Sequence, residues 1–78
     1  MRAQRPNLLI AESRDFSPKA LSLLRLDFDV EALETDRRAL LSAVPAADVL
    51  WVRLRHRVDA EVMSAATNLK MIVSPTTG

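Results

Sequence analysis

Four short apolar runs divide the chain, and stretches with helical spacing separate them. Asn7-Leu8-Leu9-Ile10-Ala11, bounded by Pro6 and by the polar Glu12-Ser13-Arg14-Asp15, reads as a first strand. Ser17-Pro18 marks a helix start, because serine accepts hydrogen bonds from free amides and proline tolerates the first helical position. Leu21, Leu24 and Phe28 then share a face with Ala20 and Leu23 beside them, which predicts a helix from Ser17 to Arg25. Phe28 to Glu34 alternates in part and predicts a second strand, short and at an edge. Asp36 is placed to cap a second helix, whose Leu40, Leu41 and Val44 repeat at helical spacing until Pro45 stops it.

A tight Ala46-Ala47 link leads to a third strand, Asp48 to Leu54, whose continuous apolar run suits a strand covered on both faces. Asp59 is placed to cap a third helix with Val62, Met63, Ala66 and Leu69 turned inward, and Asn68 stands where a left-handed residue often ends a helix. Met71 to Ser74 reads as a fourth strand, broken by Pro75-Thr76-Thr77-Gly78. Alternating strands and helices with short links predict an α/β unit with a parallel sheet of about four strands in the order 2-1-3-4, flanked by three helices. The topological switch of that order lies between strands one and three, and ligands gather outside the carboxyl ends of the strands there. The loops that leave those two strands are Glu12 to Asp15 and Arg53 to Arg57, with Ser74 to Gly78 expected alongside.

Composition adds bounds. Seventy-eight residues, 49% hydrophobic and 27% charged, have the balance of one small globular domain or a part of a larger one. A net charge of +1 supplies no global reason to expect nucleic acid or an anionic membrane as partner. No cysteine is present, which excludes disulfides and thiolate metal sites. The apolar run after Pro6 is too short for a signal peptide's core or a membrane span, so a cytoplasmic location is expected. Met71, Ile72 and Val73 would form an uncovered edge, and small single cores offset ordering entropy only narrowly, so the chain is expected to be part of a longer one.

The candidate chemistry sits where the third strand turns basic. Arg53, Arg55 and Arg57 alternate, so they share a face if the strand extends, and a guanidinium fork suits a carboxylate or phosphate. A solvated strand end is the plainer reading of the same residues. His56 has no serine or cysteine nucleophile near it in sequence, and Glu12 and Asp15 do not form a glycosidase pair or a metal cage. Thr76-Thr77-Gly78 is either a plain turn or a cradle of backbone amides for an anion. The single glycine is Gly78, so a glycine-rich phosphate motif is absent.

Several segments, taken in order, resemble one family. They are Leu8 to Glu12, Phe16 to Leu21, Ala47 to Arg55, Val58-Asp59-Ala60-Glu61-Val62 running on to Asn68-Leu69-Lys70-Met71-Ile72, and Thr76-Thr77-Gly78. Together they resemble the amino-terminal part of the substrate-binding (catalytic) domain of the D-isomer-specific 2-hydroxyacid dehydrogenases, in the phosphoglycerate-dehydrogenase-like branch. The resemblance implies a flavodoxin-like three-layer fold and an oxidoreductase that moves hydride between NAD and a 2-hydroxy or 2-keto acid. It implies that substrate carboxylate is held partly by backbone amides at Arg53, Leu54 and Arg55 and at Thr76, Thr77 and Gly78. Leucine at 54, where the family commonly has a small polar residue, removes a hydroxyl and keeps the amide. The family's catalytic arginine, acidic residue and histidine fall beyond position 78, as does its NAD-binding domain, and His56 is not the catalytic histidine.

The expectation is therefore a parent that uses NAD and acts as a homodimer, and a chain that binds no cofactor alone and is inactive by itself. A phosphoacceptor receiver domain shares the strand order but needs an aspartate at the end of strand three, where Arg53 stands. The alternative function is a free-standing binding or assembly module. It would use the open fourth-strand edge, with Arg53 to Arg57 meeting an acidic surface or nucleic acid.

Overall fold

The computed structural model describes residues 5–14, 16–53 and 57–74. Four parallel strands, β1 (Asn7–Ile10), β2 (Asp29–Ala32), β3 (Val49–Trp51) and β4 (Met71–Val73), form one sheet in the order β2-β1-β3-β4. Helices α1 (Pro18–Leu24), α2 (Arg37–Ala43) and α3 (Ala60–Ala65) connect them, with a 3-10 turn over Val44–Ala46. Strand order, parallel pairing and helix number all agree with the sequence reading.

The helix starts follow from three capping side chains. The Ala20 amide donates to Ser17 Oγ at 3.3 Å and the Ala39 amide to Asp36 Oδ1 at 2.8 Å. The Val62 amide donates to Asp59 Oδ1 at 3.3 Å. Each bond satisfies an amide that the first helical turn leaves without a partner. Pro45 has no amide to continue α2, and the chain tightens into the 3-10 turn there.

Alternation along the central strands sorts side chains onto two faces. Leu9, Ala11, Leu50 and Val52 meet Leu40 and Val44 from the second helical segment and Val62 and Ala66 from the third. Leu8, Ile10 and Val49 meet Leu21, Leu24 and Phe28 from the α1 side. The result is three layers, with α1 on one face of the sheet and α2 and α3 on the other.

Several boundaries differ from the sequence reading. β3 ends at Trp51 rather than Leu54, and β2 spans Asp29–Ala32 rather than Phe28 to Glu34. The chain bends after Ala32, where Glu34 meets Glu12 in an isolated antiparallel bridge. Met63 is 50% exposed instead of inward, because it sits one residue round from the Val62 and Ala66 positions that point at the sheet. Leu23 is likewise 60% exposed. α3 ends at Ala65 with Ala66 as its cap, so Asn68 does not close the helix. Its side-chain amide instead donates to the Pro45 carbonyl at 3.1 Å.

Candidate functional site

The crevice outside the carboxyl ends of β1 and β3 is the topological switch of this sheet. β1 and β3 pair as Leu8 with Val49, Leu9 with Leu50 and Ile10 with Trp51. The Ala11 amide still donates to the Trp51 carbonyl at 3.0 Å. Beyond it the backbone of β1 turns toward the segment after β2, where the Ser13 amide donates to the Leu33 carbonyl at 3.0 Å. Thr35 locks this bend, since its amide and its hydroxyl both donate to the Ala11 carbonyl, at 3.1 and 2.9 Å.

Glu12 fills the gap that the bend opens. Its side chain is nearly buried, and Oε2 accepts the Arg53 backbone amide at 2.7 Å. The β1–β3 register, extended past the last backbone pair, places Glu12 opposite Arg53, so a carboxylate replaces the next ladder bond. A charged acceptor shortens and strengthens such a bond. The same register is closed at the amino ends by another side chain, where the Asn7 amide donates to Asp48 Oδ2 at 2.8 Å. On the α1 side of the crevice, Phe16 packs edge-on against Trp51, with ring centroids 5.2 Å apart.

The connection from β3 to α3 is held at its other end by Arg37, from the first turn of α2. Its guanidinium donates to the Arg57 carbonyl at 3.0 Å, to both oxygens of Asp59 at 2.7 and 2.9 Å, and to Glu61 Oε1 at 2.8 Å. Asp59 thus serves two donors, the guanidinium and the α3 amide it caps. Hydrogen bonding to Arg37, and then to the Val62 amide, holds the Asp59 carboxyl below the usual aspartate range. Hydrogen bonds to Glu61 and Asp59 push Arg37 further up, so it stays charged.

Of the substrate-binding residues expected from the sequence, Arg53 lies at this crevice. Its amide is occupied by Glu12, and its exposed guanidinium donates to the Arg14 carbonyl at 3.2 Å. The loops after β1 and β3 therefore do meet, as the strand order predicts. With β3 ending at Trp51, strand alternation does not set the direction of Arg53. Leu54, Arg55, Thr76, Thr77 and Gly78 lie outside the described residues, as do Asp15 and His56. Sequence reasoning missed the roles of Glu12 and Arg37, because both act on residues far along the chain. The constant offset between paired residues of β1 and β3 is the signal that would have joined Glu12 to Arg53.

Among the described residues, no group of three or more His, Cys, Asp or Glu side chains is placed to hold a metal ion. Nor is any described helix long and apolar enough to cross a membrane. A cavity of about 500 Å³ lies at the opposite end of the sheet, lined by residues that include Arg5, Asp48 and Lys70. It is remote from the switch crevice.

Residues 8–78 match the family model described as D-isomer specific 2-hydroxyacid dehydrogenase, catalytic domain. D-3-phosphoglycerate dehydrogenase of Mycobacterium tuberculosis is 41% identical over 68 residues, which is 86% of this chain and 12% of that protein. Glyoxylate reductase of Thermococcus onnurineus is 35% identical over 78 residues, 95% of this chain and 23% of that protein. The crystal structure of the PH0520 protein from Pyrococcus horikoshii OT3 superposes with a TM-score of 0.86 at 25% identity, covering 96% of this chain and 22% of that one. The chain thus spans less than a quarter of the length of each of these relatives.

Proposed function

The chain belongs to the D-isomer specific 2-hydroxyacid dehydrogenases, and from that premise we propose that it forms one wall of the substrate cleft of an NAD-dependent oxidoreductase. The parent would interconvert a D-2-hydroxy acid and its 2-keto acid. The observation that carries this reading is the meeting of the loops after β1 and β3 at the topological switch, where the Arg53 amide donates to Glu12 and the Arg53 guanidinium to the Arg14 carbonyl. Arg53 provides positive charge, and its amide anchors the loop. The amides of Leu54, Arg55, Thr76, Thr77 and Gly78 are the proposed donors to the substrate carboxylate, since a carboxylate is well satisfied by several converging N–H groups.

The residues present do not fit NAD. The only glycine is Gly78, and α1 opens with Ser17-Pro18 instead of a glycine-rich turn that lets a pyrophosphate approach the backbone. Cofactor and acid/base groups would come from further polypeptide, and a homodimer is the proposed assembly of the parent. The 78 residues alone would turn over no 2-keto acid. What this wall supplies is orientation of the carboxylate, which fixes the reacting carbon for a group elsewhere.

The test is to express the reading frame continued past Gly78 and follow NADH oxidation with glyoxylate, 3-phosphohydroxypyruvate and related 2-keto acids. Turnover of at least one supports the proposal. A folded product inert toward the whole panel overturns it. The second reading, an assembly module joined through β4, has the exposed Met71 and Ile72 in its favour. A reading frame that stops at Gly78, with a chain that dimerises through β4, would put that reading first.

A further inference from the structure

We propose that the cavity at the amino ends of β1, β3 and β4 is a binding site for a small apolar monocarboxylate, separate from the cleft and from the chemistry proposed there. Pro6, Phe28, Val49 and Met71 give it an apolar lining, and Arg5, Asp48 and Lys70 bring charge to about 500 Å³ of open volume. Small-molecule sites have this size and this mix, mostly apolar with a few polar groups that orient the ligand. The cavity exists because the α1 face is thinly covered. Val49 and Phe28 belong to the cluster on that face, where a single helix lies over the sheet and Met71 stays 58% exposed.

Charge selects the ligand. Among the described residues, two cations and one carboxylate line the cavity, and that carboxylate is engaged, since Asp48 Oδ2 accepts the Asn7 amide at 2.8 Å. Arg5 is held in place, with Nη1 donating to the Arg25 carbonyl at 2.9 Å. A guanidinium carries five N–H groups, so most of the fork remains for another acceptor. The backbone of Lys70 is fixed as well, its amide donating to the Asp48 carbonyl at 2.7 Å. A second cavity at the same end of the sheet, about 310 Å³ beside β2, has the opposite character. Asp29 and Glu31 line it, and no described lysine or arginine does. An anion is repelled there and drawn to Arg5 and Lys70. A carboxylate head for those two cations, with an aliphatic or single-ring body against Phe28, Val49 and Met71, satisfies both parts of the lining.

The test is isotope-filtered NOE spectroscopy with hexanoate, on the 78-residue chain and on the polypeptide continued past Gly78. NOEs from the hexanoate chain to Phe28, Val49 and Met71 are expected in both, with a dissociation constant of about 1 mM. Hexanol and hexylamine keep the body and change the head, and should bind about tenfold more weakly. Arg5 and Lys70 are exposed, so Arg5→Gln and Lys70→Gln leave the core intact. Each should weaken hexanoate about threefold and leave hexanol unchanged. Met71→Ser should weaken both ligands, because both lose apolar contact. Equal affinity for hexanol and hexanoate, or undiminished hexanoate binding by the Arg5→Gln, Lys70→Gln double variant, overturns the site. So does absence of the NOEs from either folded polypeptide, and absence from the longer one alone would mean that further polypeptide fills the cavity.

Discussion

The two faces of the sheet are built to different standards. On one, α2 and α3 cover Leu9, Leu50 and Val52, and each helix sends a fully buried side chain inward, Leu40 and Val62. On the other, α1 stands alone and contains no buried residue, with Leu21 and Leu24 only half-covered. Leu23 and Leu26 on that side are 60% and 70% exposed. The difference follows from topology. Crossovers that lead from β2 to β3 and from β3 to β4 both lie on one face, while β1 to β2 supplies a single helix for the other. A side chain ion pair adds to the imbalance, since Arg37 ties the start of α2 to the start of α3. Cohesion and the Arg37 cluster therefore share one face.

The largest test of that contrast is a pair of truncations. Leu50 is fully buried at the centre of the two-helix face, and Leu50→Ala is expected to cost about 3 kcal/mol from lost transfer energy and the cavity left behind. Leu24 on α1 is partly exposed, and Leu24→Ala is expected to cost about 1 kcal/mol, because less apolar area leaves contact and water fills the gap. Urea midpoints followed by far-UV circular dichroism give both values. Equal losses would mean that α1 packs as tightly as the opposite pair, and the contrast would fail.

Most of this architecture was legible in the sequence. The alternation of apolar runs with capped helices gives β2-β1-β3-β4, and Ser17, Asp36 and Asp59 cap where local chemistry places them. What escaped was set by distant groups. β3 stops three residues short of the expected Leu54 because Arg53 gives its amide to Glu12, and an apolar pattern carries no trace of that bond. Arg37 looks like any charged residue in a first turn until Arg57, Asp59 and Glu61 converge on it. Met63 was placed inward because apolar character was read without the angular limit that a six-residue helix imposes. The meeting of the loops after β1 and β3 was readable from strand order alone. The groups that fix them were not.

A finer comparison sets the two helix starts against each other. The Asp36 cap on α2 is charged and short, 2.8 Å to the Ala39 amide, whereas the Ser17 cap on α1 is neutral and 3.3 Å from the Ala20 amide. Asp36→Ala is expected to cost about 1 kcal/mol, toward the middle of the range for capping residues. Ser17→Ala should cost about half as much, since its bond is weaker and its helix less buried. Thermal midpoints of the two variants check the order. A larger loss at Ser17 would show that α1 depends on its cap because so little else holds it.

The smallest effect is one of pH, and it separates the Arg37 cluster from the rest of its face. Arg37 holds the Asp59 carboxyl below its unfolded value, so ionised Asp59 favours the folded chain. A depressed carboxyl contributes fully above its unfolded pKa, near 4, and loses that contribution as pH falls toward the lower folded value. Stability measured by urea at fixed temperature should therefore fall on acidification below about pH 4. Asp59→Asn keeps a capping oxygen for the Val62 amide but removes the charge that meets Arg37. Its stability at pH 7 should drop modestly, because the pair is open to solvent, and its slope below pH 4 should be shallower than that of the unmodified chain. Asp36→Asn is the matched control, a charged cap to which no described ion pair is joined. A slope unaltered by Asp59→Asn, or altered equally by both variants, would assign the acid sensitivity to carboxylates in general and leave Arg37 no electrostatic hold on α3.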